Sequence, residues 1–377
     1  MYKEALSTGT KIFATAPMID WSDRHFRFFA RQLSRSALLY TEMIVADAIL
    51  RGNREKLLGF DDVEHPVALQ LGGNDPQKLA EAARIGEAFG YDEINMNVGC
   101  PSDRVQSGTF GACLMREPQL VADCVSAMKA AVKIPVTVKC RIGVDDQDPE
   151  VALRDLVSRV RAAGVDAVWV HARKAWLQGL SPKENRDIPP LDYDLVRRLK
   201  AENANLFIGL NGGLHALSQA LEEMNRGAVS AEPAVGQVSH DLSNAGPSLD
   251  GVMLGRAAYH DSGMLTGVDA LFPIPVHGSR TEQEDGVAGV SSGSRDPAHW
   301  DGVRDAMMAY AERVMAGGGR LNHVTRHMVG LFQGYPGARR YRQILSSEAT
   351  RPGAGSEVIA NAFAAIQEAG TARQAAE

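Results

Sequence analysis

One feature constrains this chain more than any other. From its start to about residue 256, short β-rich apolar runs alternate with longer stretches of helical periodicity. The apolar runs fall at 13–18, 39–45, 67–71, 93–97, 136–140, 167–171, 206–210 and 251–254, eight in all. Helical patterns occupy 76–89, 118–132, 149–163, 193–202 and 214–225. Proline opens the first three, where its fixed φ and missing donor do no harm, and Gly90 and Gly164 follow two of them as C-cap candidates. Strand–helix alternation means parallel pairing with helices outside. Eight such units in roughly 250 residues is the size of a (β/α)8 barrel. The structural rival, a doubly wound sheet, usually carries GxGxxG after its first strand, whereas here that strand runs into APMIDWSD. The expected fold is α/β, a TIM (β/α)8 barrel.

Two segments break the rhythm. Residues 227–250 intervene between the seventh helix and the eighth strand, and 278–297, rich in Gly, Ser and acidic residues, reads as a linker or surface loop. Beyond it the pattern is helical at 300–315, 321–332, 338–345 and 356–369. The expected organisation is a barrel over 1–272 with an insertion at about 227–250, a linker over 273–297, and a small all-α domain over 298–377.

Composition excludes several classes. No stretch approaches the roughly 20 apolar residues needed to cross a bilayer, and the N-terminus lacks the apolar core of a secretory signal. The four cysteines (Cys100, Cys113, Cys124, Cys140) form no CxxC pair and no metal-ligand spacing with histidine. Free thiols in a reducing, cytoplasmic setting follow, with no metal, no membrane and a monomeric state expected. A net charge of −6 argues against a basic coat for nucleic acid but leaves room for a local patch. Residues 319–347 hold Arg320, Arg326, Arg339, Arg340 and Arg342 with no Asp or Glu. Taken alone, that run fits a solvated helical surface as well as a phosphate-binding face.

In a barrel, chemistry gathers at the carboxyl ends of the strands. Those positions here carry Ala16-Pro17-Met18, Gln70-Leu71-Gly72-Gly73, Asn95 through Pro101, Lys139-Cys140-Arg141, His171-Ala172-Arg173, Asn211-Gly212-Gly213 and Gly255-Arg256. Each has an innocent reading as a turn or a packed polar residue; seven at the same end point to a site. Gly212 and Gly213 lead toward a helix, so bare backbone amides can face an anion, and Gly255-Arg256 repeats the device with a guanidinium. One phosphate clamp, with Gln70, Lys139 and His171 able to bond a flat heterocycle, suits FMN. A cationic Lys139 can stabilise an anionic reduced flavin, or it can serve as a Schiff-base nucleophile in an aldolase. Cys100, in a Gly-Cys-Pro turn, favours the flavin, because a thiol at that place is able to act as general acid.

These residues also resemble a family. APMIDWSDRHFR, LYTEMIVADA, ALQLGG, EINMNVGCPSDRVQSGTFGACLM, VTVKCRIGVDD, GLNGG, DGVMLGRAAYH and NHVTRHMVGLFQGYPGARRYR closely resemble the tRNA-dihydrouridine synthases. HARKAWLQGLSPKENR resembles their A-type subgroup, which acts at positions 20 and 20a. The likeness spans about 12–256 and 300–346. It implies that NADPH reduces FMN, that hydride passes from the flavin to C6 of a uridine in the tRNA D-loop, and that Cys100 protonates C5. It implies FMN contacts at Pro17, Met18, Ile19, Gln70, Lys139, His171, Asn211, Gly212, Gly213, Gly255 and Arg256. Asn97 and Arg141 match positions that meet the uridine; Lys183, Arg186, Arg326, Arg339 and Arg342 match a tRNA-contacting role. The uridine must leave its stack to react. The insertions at 227–250 and 278–297 depart from the family pattern without removing a catalytic residue. Rival readings are an FMN barrel acting on a free pyrimidine or dihydroorotate, and a non-catalytic tRNA-binding protein.

Overall fold

The computed structural model describes residues 1–102, 110–227, 248–273 and 300–374. Eight parallel strands form one sheet: β1 (Ile12–Thr15), β2 (Leu39–Val45), β3 (Val67–Gly72), β4 (Glu93–Val98), β5 (Val136–Arg141), β6 (Ala167–His171), β7 (Phe207–Asn211) and β8 (Gly251–Leu254). The order is β1-β8-β7-β6-β5-β4-β3-β2. A parallel bridge between Ala14 and Leu38 joins the two ends, through hydrogen bonds from Thr15 N to Leu38 O (2.9 Å) and from Leu38 N to Phe13 O (2.9 Å). The barrel is closed. The excursion expected over 227–250 and the linker over 273–297 lie largely outside the described residues.

Strand alternation sorts side chains into two cores. Ile94, Met96, Val98, Val136, Val138, Val168, Val170, Ile208 and Leu210 face the surrounding helices. The opposite faces fill the barrel, where Ile12, Ala14, Tyr40, Ala68, Trp169, Phe207 and Met253 pack with Tyr2 of an N-terminal helix, Tyr2–Thr8. Trp169 dictates Gly209 on the next strand: a Cβ there would stand 2.2 Å from the indole. The helices start where their caps say. Asp75 accepts from Gln77 N and Lys78 N ahead of Pro76–Ala88, and Asp148 from Glu150 N ahead of Pro149–Ala162. Gly90 and Gly164 take positive φ just past two helix ends.

Boundaries shifted where backbone chemistry overrode hydrophobicity. The first strand, expected to reach residue 18, ends at Thr15; Ala16 N still bonds Leu254 O, but Pro17 has no N–H to continue the ladder. The helix expected over 321–332 stops at Thr325. Beyond it the chain turns, with Gly330 against the backbone of His260 and positive φ at Gly334 and Gly337.

The C-terminal helices Asp301–Ala316, Leu321–Thr325, Ala338–Gln343 and Glu357–Gln374 pack around Phe332, which meets Trp300, Tyr335, Tyr341 and Phe363. This layer docks on the barrel helix Arg24–Leu33. Phe28 stacks on Tyr310 at 3.9 Å, His25 Nδ1 meets Tyr310 OH at 2.8 Å, and Asp23 binds Arg326 at 2.5 Å and His327 at 3.0 Å.

Candidate active site

The carboxyl ends of β3 to β8 bring the expected polar residues to one mouth. On β4, Glu93, Asn95 and Asn97 alternate with apolar residues and face inward. Asn97 Oδ1 accepts from the backbone N–H of both Gly99 and Cys100 (3.0 Å each), which shapes the turn carrying the thiol. Its Nδ2 donates to Gln70 Oε1 at 2.8 Å. Cys100 is half-buried, with Sγ 3.4 Å from Ser102 Oγ.

Lys139 Nζ donates to Asn211 Oδ1 at 3.0 Å, and Asn211 Nδ2 to Met253 O at 2.7 Å. Burial, with help from Arg141, lowers the Lys139 ammonium to about 8, so it remains mostly charged at neutral pH. His171 is buried, and desolvation together with Arg141, Lys139, Arg173 and Arg186 drives it well below the ordinary histidine range. It is a neutral imidazole. Arg141 is buried and bonds the carbonyls of Gly99, Lys174 and Asn185; burial lowers it to about 9. It braces the Cys100 turn against the β6 loop as well as lining the mouth.

Gly212 (φ +106°) and Gly213 (φ +68°) form the turn after β7. The next helix begins only at Leu217, so the donors here belong to a left-handed turn and not to a helix end. Tyr193 OH donates to Gly212 O at 2.5 Å. A Cβ on Gly212 would lie 2.5 Å from His171, and one on Gly213 2.4 Å from Leu191. Gly255 packs beside Met18 and Ala16, Pro17 is half-buried there, and Ile19 is exposed at the rim. Arg256 pairs with Asp187 at 2.6 and 3.2 Å.

Three polar atoms at this mouth, His171 Nε2, Arg173 Nε and Arg186 Nε, are buried without a hydrogen-bond partner. Such orphans carry a free-energy cost unless a ligand meets them. Among the described residues Asp187 is the one carboxylate bonded to any of Lys139, Arg141, Arg173, Arg186 and Arg256. A flat, anionic ligand fits this donor set, as the phosphate and ring of FMN would.

The remaining expected contacts lie apart. Lys183 is exposed on the β6 loop, and Arg339 and Arg342 are exposed on Ala338–Gln343. Among the described residues neither of those two arginines is in an ion pair. Arg326 is exposed but committed to Asp23. Arg173, Asp187 and Asn185 went unassigned in the sequence. Asn185 staples the β6 loop through Trp176 N and the carbonyls of Trp176, Leu180 and Ser181; nothing local marks it. Asn95 and Glu93 were detectable as the inward register of EINMN.

A family model, Dihydrouridine synthase (Dus), matches residues 14–368. The chain belongs to the dihydrouridine synthase family. It is thus an enzyme of oxidoreductase type, in a family known for flavin chemistry. It is 50% identical over 350 residues to the tRNA-dihydrouridine(20/20a) synthase of Xanthomonas axonopodis pv. citri, covering 93% of this chain and 92% of that one. The proteins of that name from Shewanella oneidensis (48% over 357 residues; 95% and 94%) and Salmonella typhi (48% over 357 residues; 94% and 95%) are similar. Among the described residues of this family member, no helix is long and apolar enough to cross a membrane, and no cluster of three or more His, Cys, Asp or Glu could hold a metal ion.

Proposed function

We propose that this enzyme reduces uridines at positions 20 and 20a of the tRNA D-loop to 5,6-dihydrouridine, with FMN as cofactor and NADPH as reductant, acting as a cytoplasmic monomer. The observation that carries this reading is its identity, over more than nine-tenths of each chain, to relatives named for that activity. Pro17, Met18, Ile19, Gln70, Lys139, His171, Asn211, Gly212, Gly213, Gly255 and Arg256 would hold FMN; Asn97 and Arg141 would meet the uracil. The barrel over 1–272 does the chemistry, and the helical unit over 298–377 grips tRNA with Arg326, Arg339 and Arg342, joined by Lys183 and Arg186 from the β6 loop.

The chemistry supplied by bound FMN is delivery of an electron pair and one hydrogen to C6 of the uracil, with NADPH as their source. Cys100 holds the proton that C5 requires. Its release leaves a thiolate beside Lys139 and Arg141, both within the field of that sulfur, and solvent then restores the proton. Asn97 keeps the Cys100 turn in place, and the cationic mouth favours an anionic nucleotide over a neutral base.

The deciding experiment incubates the protein with NADPH and unmodified tRNA and maps dihydrouridine by position. Conversion at 20 and 20a is expected. A yellow protein that oxidises NADPH but leaves tRNA unchanged would redirect attention to free pyrimidines or dihydroorotate. Gly212→Ala tests the cofactor turn, because its Cβ has no room beside His171 and its φ disfavours any side chain. FMN affinity is expected to fall by roughly tenfold or more, read by flavin titration; unchanged affinity would remove the turn from the cofactor site.

A further inference from the structure

Glu93 is fully buried inside the barrel, below the mouth. Tyr2 OH donates to its Oε2 at 2.5 Å and Tyr40 OH to its Oε1 at 2.5 Å, with Thr137 Oγ1 donating to Oε1 as well. Three hydroxyls satisfy this one buried carboxyl, and one of them continues upward. Thr137 Oγ1 accepts from Asn95 Nδ2 (2.7 Å), Asn95 Oδ1 from Gln70 Nε2 (2.8 Å), and Gln70 Oε1 from Asn97 Nδ2 (2.8 Å). Asn97 Oδ1 then accepts from the backbone of Gly99 and Cys100.

Every link in this chain donates in the same direction, and both ends are fixed. At the top, two backbone N–H groups require the oxygen of Asn97. At the bottom, a hydroxyl that already accepts from Asn95 must donate its own proton, and Glu93 receives it. Flipping any one amide would set N–H against N–H or oxygen against oxygen at a site closed to water. Tyr2 obeys the same rule: it accepts from Trp169 Nε1 at 3.3 Å and donates to Glu93. Burial pushes the Glu93 carboxyl up to about 7 even against the pull of its three hydroxyl donors, so it is an acceptor-only carboxylate above that pH.

We propose that Glu93 is a positioning residue for the proton-delivering loop: as terminal acceptor of a one-way chain of hydrogen bonds, it fixes the orientation of Asn97 and thereby the backbone of Gly99 and Cys100. The catalytic consequence rests on the reading of Cys100 as the acid; the positioning itself does not. Glu93→Gln preserves size but places two donors, the new amide and Thr137 or a tyrosine, where one acceptor stood.

The test is a double-mutant cycle on the FMN-loaded protein, with two readouts: kcat for tRNA reduction, and the rate of Cys100 alkylation by iodoacetamide mapped by mass spectrometry. Glu93→Gln is expected to lower kcat by roughly ten- to a hundredfold and to change the Cys100 alkylation rate, with KM for tRNA little altered. In an Asn97→Ala background the same substitution should add less than about twofold to either readout, because the chain no longer reaches the loop. Thr137→Val, which cuts the chain midway, should reproduce the effect and carries the test if Glu93→Gln does not fold. Equal losses in both backgrounds would reduce Glu93 to general stability and overturn the proposal, as would an unchanged alkylation rate. Alkylation coupled to Glu93, in a protein whose Cys100→Ala variant stays fully active, would uphold the positioning and refute the acid role instead.

Discussion

Cys100→Ala is expected to lower dihydrouridine formation by roughly 10²- to 10⁴-fold, the range set by loss of a positioned general acid, while FMN stays bound and NADPH is still consumed in air. The separation follows from the geometry. Cys100 stands on the turn after β4, held through its backbone N–H by Asn97, so its side chain can be removed without disturbing that bond. The residues proposed for the cofactor come from other strand ends: Lys139 and Asn211 bonded to each other, and the Gly212–Gly213 turn tied to Tyr193. The check compares dihydrouridine formed with NADPH consumed. Retained dihydrouridine formation would assign the proton to another group. Loss of flavin in the variant would place Cys100 in the cofactor site instead.

The second large effect is on tRNA affinity. Arg339→Glu combined with Arg342→Glu should weaken binding by roughly tenfold or more at low salt and lower the slope of log affinity against log salt by about 2, since each neutralised phosphate contributes slightly less than one unit. Both side chains are exposed on a short helix, so fold stability should scarcely change. Arg326→Ala is the informative companion. Its guanidinium lies 2.5 Å from Asp23, the residue that caps helix Arg24–Leu33 and also binds His327. If that junction is its whole role, the variant melts earlier with the salt slope of the parent; a reduced slope would put Arg326 on the RNA as well. Unchanged affinity and slope in the double Glu variant would return the arginine run to an ordinary solvated surface.

How much of this was legible in the sequence depended on the range of the interaction. Strand and helix positions could be read because their causes are local: β-rich runs, prolines in the first turn, glycines past the ends. The strand-end residues could be read because a barrel sends them all to one rim. Where reading failed, a distant or backbone constraint had won. Pro17 cut β1 short by lacking a donor. The helix after Leu321 ended early where Gly330 meets the backbone of His260, about seventy positions away in the chain. The N-terminal segment shows no apolar run in the sequence, yet Tyr2 is buried inside the barrel. The sequence groups Arg326 with Arg339 and Arg342 as matching a tRNA-contacting role, and only the fold reveals its carboxylate partner, Asp23.

The amino-acid sequence by itself determined the barrel, the mouth at which its polar residues gather, and the family to which the chain belongs, because periodicity, turn chemistry and motif are properties of neighbouring residues. The tertiary structure decided which of those polar residues are tied to one another. Tyr2 reaches Glu93 across 91 positions, Arg256 reaches Asp187 across 69, and Arg326 reaches Asp23 across 303. A hydrogen bond needs partners about 3 Å apart in space and is indifferent to their separation along the chain; only folding brings such pairs together, and only the folded barrel turns a row of isolated polar side chains into one directed chain from the Cys100 backbone to Glu93.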